Sequence, residues 1–190
     1  MKYNDLKNIY TIIEDELAQF EKKYSKILQS EVGLINKIGK YISKTKGKRL
    51  RPALLFLCAK YFGEIDEQVI KAGTIVELLH TATLIHDDVV DKSDQRRGRK
   101  SINSLWENKI AVLMGDFLFS RSLRALVDLE NLPILREMSK TTEHLSSGEL
   151  LQIEKSMGSG MTEEIYNDMI FYKTASLFAT SCKIGAKLMN

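Results

Sequence analysis

The chain has 190 residues, with 28 Lys and Arg against 25 Asp and Glu and a formal net charge of +3. That length can bury one sizeable core. The near balance of charge excludes a bulk electrostatic case for nucleic-acid binding, so any anion site has to be built locally. Two prolines and 11 glycines punctuate a chain rich in Leu, Ile, Lys and Glu, which favours helices over a turn-rich β fold. Cys58 and Cys182 stand alone, without metal-ligand spacing, and are expected to be buried thiols in a reducing compartment.

In chain order, Met1 to Leu6 are polar and charged, so a cytoplasmic location is expected rather than secretion. Apolar residues then recur at helical spacing and predict helices near 4–30, 32–45, 51–63, 66–91, 108–129, 133–156 and 163–189. Pro52 suits the first turn of the third, and Asn131 with Pro133 opens the sixth in the same manner. Thr162 followed by Glu163 and Glu164 starts the last, acids being favoured at the positive end of a helix dipole. The most apolar stretch, Gly73 to Ile85, is interrupted by Glu77 and His80 and is too short to span a bilayer. No strand pattern competes, and residues 92–108 form the longest predicted loop. The fold expected is all-α, one antiparallel helical bundle over residues 1–190.

Leu84-Ile85-His86-Asp87-Asp88-Val89-Val90-Asp91 is the most informative string. On a helix, Asp87 and Asp91 share a face with about 5–6 Å between their Cβ atoms, and Asp88 lies beside them. Three carboxylates repel one another and sit near a helix C-terminus, where the dipole already disfavours negative charge. Such a cluster calls for a cation, and carboxylate oxygens suit Mg²⁺, which commonly shares its ligands with a phosphate group. Taken alone, the pattern fits an exposed acidic helix end equally well. Three basic groups change the balance. Gly47-Lys48-Arg49-Leu50-Arg51-Pro52 sets three cations where a loop enters a helix with free backbone N–H groups. Arg96-Arg97-Gly98-Arg99-Lys100 follows the acids, and Lys173-Thr174 offers a charge and a hydroxyl near the end. One metal-type cluster with three phosphate-type clusters points to a substrate carrying diphosphate, or to two such substrates. His80 and His86 lack a Cys or His partner at zinc spacing.

GKRLRP, ELLHTATLIHDDVVD, RRGR and YKTASLF, in this order, resemble the trans-type polyprenyl diphosphate synthases, and the resemblance covers nearly the whole chain. It implies a helical bundle of the isoprenoid synthase type and a Mg²⁺-dependent prenyltransferase. In that reading Asp87, Asp88 and Asp91 match the first aspartate-rich motif, with Asp87 and Asp91 as the direct Mg²⁺ ligands to an allylic diphosphate. Lys48, Arg51 and His80 match the site for isopentenyl diphosphate. Arg96 would face the allylic diphosphate and Arg97 the isopentenyl one. Lys173 and Thr174 would contact the allylic leaving group, with Gln152 nearby. The implied reaction is ionisation, condensation and elimination. The resemblance also implies a homodimer, formed through the helices around Ala111 to Val127 and Pro133 to Ile153.

Ala82 and Thr83 lie about one turn before Asp87 and would look from the metal site into the pocket for the growing chain. Family members making short products tend to carry a bulky aromatic there, so these small residues predict a medium-to-long, octaprenyl-like product. A product of that kind suggests peripheral membrane contact. The chain departs from the family in carrying Asp-Asp only once, so a second aspartate-rich motif is missing. The expectation is a front portion lacking roughly the last third and inactive alone. A natural short subunit that works beside a partner is the alternative. A terpene cyclase shares the acidic site but has no need of a second diphosphate pocket, and GKRLRP speaks against it.

Overall fold

The computed structural model describes residues 8–45, 47–158 and 160–189. Eight α-helices run through them: α1 (Glu14–Ile27), α2 (Gly33–Lys44), α3 (Leu50–Phe62), α4 (Glu67–Val90), α5 (Ile102–Val127), α6 (Leu132–Ser156), α7 (Glu163–Ile170) and α8 (Ser176–Lys187). Their ends follow local chemistry. Glu14, Asp15 and Glu16 open α1 at the positive end of its dipole. Asp66, Asn131 and Thr162 cap α4, α6 and α7, accepting from the N–H groups of Val69 (3.0 Å), Ile134 (3.1 Å) and Ile165 (3.2 Å). Pro52 sits in the first turn of α3, as expected.

Residues 72–79 of α4 are buried without a break, so this helix has no solvent face over two turns and belongs at the centre of a bundle. Helices α1, α3, α5 and α8 pack around it, and α8 also packs along α3 and α6. The tightest part of the core is aromatic. Phe20 stacks on Tyr24 with centroids 5.6 Å apart and meets Phe56 edge-on at 6.2 Å, all three rings being fully buried. No helix among the described residues is long and apolar enough to cross a membrane.

Five expectations need correction. The first predicted helix breaks into a short helical turn at 8–11 and α1, because the Ile13 N–H turns back to the Tyr10 carbonyl (3.2 Å) and drives Ile13 into the core. Residues 4–7 of that prediction lie outside the described residues. The predicted loop 92–108 is instead a hairpin, β1 (Gln95–Arg96) paired antiparallel with β2 (Arg99–Lys100), followed directly by α5. Its two connecting residues, Arg97 and Gly98, both have positive φ (54° and 73°), as a type I′ turn requires. Strands of two residues carry no alternating pattern, which is why none showed in the sequence. Helix α5 is interrupted at Glu107 (φ 71°, ψ 157°), and the predicted start at 108 marks where the helix resumes. Finally, Cys58 and Cys182 are half-buried on α3 and α8, and burial together with the neighbouring Cys58 pushes the Cys182 thiol up to about 11.

The predicted last helix is divided as well, by a π-helical turn at Phe171–Ala175 between α7 and α8. Single π turns in α-helices are rare and frequent at functional sites.

Candidate active site

Helix α4 ends abruptly. Lys92 takes φ +50°, its N–H donates to the Val89 carbonyl (3.2 Å), and the Ser93 N–H donates to the Asp88 carbonyl (2.9 Å). This αL ending closes the helix just past Asp91 and turns the chain back into the hairpin. The hairpin is anchored by Tyr41, whose hydroxyl donates to the Lys100 carbonyl (2.6 Å), and by Ser101, which donates to the Ser93 carbonyl (2.7 Å).

The three aspartates divide by environment. Asp88 is buried and accepts from Arg96 Nε at 2.8 Å and from Arg96 Nη2 through the same oxygen. It is therefore committed to orienting Arg96. No hydrogen bond or ion pair among the described residues engages the carboxylates of Asp87 or Asp91, so these two remain available to a cation. Asp87 is pushed up to about 6 by burial and then by Glu149 and Asp91, with Lys173 and Arg96 opposing. Among the described residues, no three His, Cys, Asp or Glu side chains form a metal cage. The donor chemistry nevertheless fits Mg²⁺, which holds few carboxylates and completes its shell with water and substrate phosphate oxygens.

Lys173 arrives on the π turn and donates to Glu149 (2.6 Å) and to Gln152 Oε1 (2.8 Å) on α6. His144, Gly148 and Gln152 lie four apart on one face of α6 and receive that turn. The His144 ring packs on Tyr172 (4.9 Å) and Phe171 (5.9 Å). A Cβ at Gly148 would come within 2.7 Å of the Lys173 nitrogen and 2.9 Å of the Tyr172 Cβ. Gly148→Ala is expected to push the turn off α6, lowering stability by about 1–3 kcal/mol and pulling Lys173 from Glu149. Thermal melts and the affinity for inorganic diphosphate check this. Unchanged values for both would show that the turn relocates freely. Thr174 is exposed beside Lys173.

A second centre lies at the start of α3. Arg51 Nη1 is 2.9 Å from His80 Nε2, and the guanidinium lies over the Phe178 ring at 4.4 Å. Arginine can only donate, so His80 Nε2 is the acceptor. Burial, followed by Arg51, Arg97, Arg96 and Arg49, depresses His80 to about 3, so the ring is neutral at any working pH. Arg97 donates to the Thr45 carbonyl (3.4 Å) and lies directly against Gly47. Arg51 Nε is buried with no partner, and Lys48 is exposed with no ion pair among the described residues. A buried donor without a partner on Arg51, beside the further cations of Lys48 and Arg97, is what an anionic ligand would satisfy.

The structure thus brings Asp87, Asp91, Lys173 and Gln152 into one cluster, and Arg51, His80 and Arg97 into another, with Arg96 between them. Thr83 is half-buried on the Asp87 face and donates to the His80 carbonyl (2.9 Å), whereas Ala82 is buried in the core. Sequence reasoning missed Glu149, whose signal was its position three before Gln152 on the same helix. It also treated Arg49 as one more phosphate-binding cation.

The sequence model of the polyprenyl synthetase family matches residues 32–190. The chain belongs to that family. It is 39% identical over 183 residues to an all-trans-nonaprenyl-diphosphate synthase (geranyl-diphosphate specific) of Rhodobacter capsulatus, covering 96% of this chain and 56% of the relative. It is 37% identical over 182 residues to heptaprenyl diphosphate synthase component 2 of Geobacillus stearothermophilus, covering 95% and 57%. Among solved structures it superposes on a decaprenyl diphosphate synthase of Rhodobacter capsulatus with a TM-score of 0.92 at 34% identity, covering 96% and 57%. The all-α fold of the polyprenyl synthetases is thereby borne out, and the chain spans a little over half the length of these relatives.

Proposed function

We propose that this polyprenyl synthetase chain is part of a prenyltransferase that condenses isopentenyl diphosphate with an allylic diphosphate such as farnesyl diphosphate. The carrying observation is the pair of unlike anion centres. One offers free carboxylates beside a lysine, Asp87 and Asp91 with Lys173, and the other sets Arg51 and Arg97 around a neutral His80. Mg²⁺ bound by Asp87 and Asp91 would supply Lewis-acid stabilisation of the departing allylic diphosphate. Lys173 and Thr174 contact that leaving group, and Asp88 holds Arg96 toward it. Lys48, Arg51, His80 and Arg97 hold isopentenyl diphosphate so that its double bond attacks the allylic cation. The released diphosphate then accepts the proton. All of these groups act by positioning and charge.

The exposed Val112, Leu113, Phe119, Leu123 and Val127 of α5 support a homodimer, and a cytoplasmic location suits the phosphorylated substrates. A partner-dependent subunit is the second reading, favoured by the relative whose name makes it one component of a synthase. The deciding experiment is product analysis with Mg²⁺, labelled isopentenyl diphosphate and farnesyl diphosphate. It is run on this chain, on the chain extended to the length of its relatives, and on mixtures with candidate partners. Prenyl chains from the extended protein alone support the first reading. Products only in a mixture support the second.

Two quantitative expectations accompany it. Asp87 titrates at about 6, so a proton competes with the cation below that pH. The dissociation constant for Mg²⁺, or for Mn²⁺ followed by electron paramagnetic resonance, is expected to rise about tenfold per pH unit below pH 6. A flat profile from pH 5 to 8 would remove Asp87 from the ligand set. Without a divalent cation the sign reverses for stability. The folded chain keeps a proton that the unfolded chain, with an ordinary aspartate value of 3.8, releases, so stability falls as pH rises through that window toward 6. Separately, Thr83→Phe is expected to shorten the product by one or more isoprene units, and Ala82→Phe to do so at a cost of about 1–3 kcal/mol from overpacking. Unchanged chain length in both variants would clear this face of a role in product length.

A further inference from the structure

Arg49 stands between Lys48 and Arg51 in the sequence, yet its guanidinium is committed to protein partners. Nε donates to Glu21 Oε1 of α1 (2.8 Å), Nη2 to Glu21 Oε2 (3.4 Å) and Nη1 to Glu77 Oε1 of α4 (2.7 Å). The group lies over the rings of Tyr24 (4.8 Å) and Phe20 (5.6 Å). Its side chain is 9% exposed and that of Glu77 only 4%. Burial works against the Arg49 cation, and Glu21 and Glu77 outweigh it, leaving it above the ordinary arginine value. An arginine so neutralised has no charge left for a diphosphate.

The backbone points the same way. Arg49 takes φ 52° and ψ 35°, a left-handed conformation that a non-glycine residue keeps only where its surroundings over-determine it. The surroundings do so here from three sides. Tyr10 donates its hydroxyl to the Lys48 carbonyl, Glu21 holds the side chain to α1, and Glu77 holds it to α4. The next residues, Leu50 and Arg51, begin α3, and Arg51 reaches His80, one turn after Glu77 on α4.

We infer that Arg49 is a positioning residue that ties the loop before α3 to α1 and α4 through Glu21 and Glu77, and so sets Lys48 and Arg51 against the His80–Arg97 anion centre. The identity of the ligand at that centre rests on the proposed function; the clamp itself does not. A buried pair that merely replaces apolar packing adds little to stability. A pair that fixes a strained loop beside a binding site has a local effect that can be read.

The test uses the double variant Arg49→Met/Glu77→Leu, which removes both charges at similar volume and leaves no buried carboxylate orphaned. Arg49→Lys, which keeps the charge and loses the fork, is read in the same way and decides the matter if the double variant does not fold. Amide hydrogen exchange over residues 47–53 is followed together with two affinities. One is for isopentenyl diphosphate and the other for inorganic diphosphate with Mg²⁺, the latter reporting the Asp87–Asp91–Lys173 centre. Expected are exchange faster by about tenfold in that segment, isopentenyl diphosphate binding weaker by about tenfold, and Mg²⁺-dependent diphosphate binding within about twofold of the parent. Unchanged exchange and unchanged isopentenyl diphosphate affinity in a folded variant would overturn the clamp. Equal losses at both centres would overturn it too, since they would mark a purely structural pair. If the parent chain binds no isopentenyl diphosphate, the functional reading fails, while the exchange rates still decide whether Arg49 holds the loop.

Discussion

Asp87→Ala is expected to lower Mg²⁺-dependent prenyl transfer by roughly 10²–10³-fold in the chain extended to the length of its relatives, with isopentenyl diphosphate affinity within about threefold. The reason lies in how the three aspartates divide. Asp88 is buried and committed to Arg96, whereas Asp87 and Asp91 hold no protein partner among the described residues. Removing Asp87 leaves Asp91 as the single free carboxylate of the motif, and a cation that dehydrates reluctantly loses its second anchor. The Arg51–His80 centre is built from α3 and α4 one to two turns away and keeps its geometry. Asp88→Ala should behave differently, because it releases Arg96 without removing a metal ligand. Steady-state turnover and separate binding isotherms measure both effects. Turnover within tenfold of the parent for Asp87→Ala would sink the assignment of the metal site.

Phe56→Ala is expected to cost about 3–5 kcal/mol, a large share of the roughly 5–15 kcal/mol that holds a domain together. Phe56 is fully buried, meets Phe20 edge-on and packs so closely on α4 that a Cβ at Gly73 would come within 2.6 Å of its ring. Three elements meet on this ring, so the site has little freedom to collapse around the void. At about 2–4 °C per kcal/mol for a chain of this size, the melting midpoint should fall by roughly 10 °C. Tyr61→Ala, farther along the same helix at 85% exposure, is the control and should shift stability by less than about 0.5 kcal/mol. A Phe56 variant that melts with the Tyr61 one would mean the core tolerates the cavity.

The helices were legible because their signals are local. Asn131 and Thr162 accept the cap bonds predicted for them, and the run from Gly73 to Ile85 lies on the central helix, where an almost continuous apolar stretch belongs. The pairing of Asp87 with Asp91 follows from helical spacing alone. What stayed hidden depends on backbone states too short to leave a period. The Arg97-Gly98 turn occupies two residues, the break at Glu107 one and the π turn five. The last of these is fitted to its neighbour, as the close approach of Gly148 to the turn that carries Lys173 shows.

Charge roles divided in the same way. From composition and spacing, Lys48, Arg49 and Arg51 are three equivalent cations, and Asp88 differs from Asp87 and Asp91 only in the helix face it takes. The fold makes them unequal by bringing distant partners to some of them: Glu21 and Glu77 to Arg49, Arg96 to Asp88, and Glu149 to within reach of Asp87. By itself, then, the sequence determined the helices and the family, because periodicity, capping and motif spacing are properties of neighbouring residues. The tertiary structure alone decided which charges are spent inside the protein and which remain for a substrate, because neutralisation in a buried site depends on partners 28 positions away on either side of Arg49.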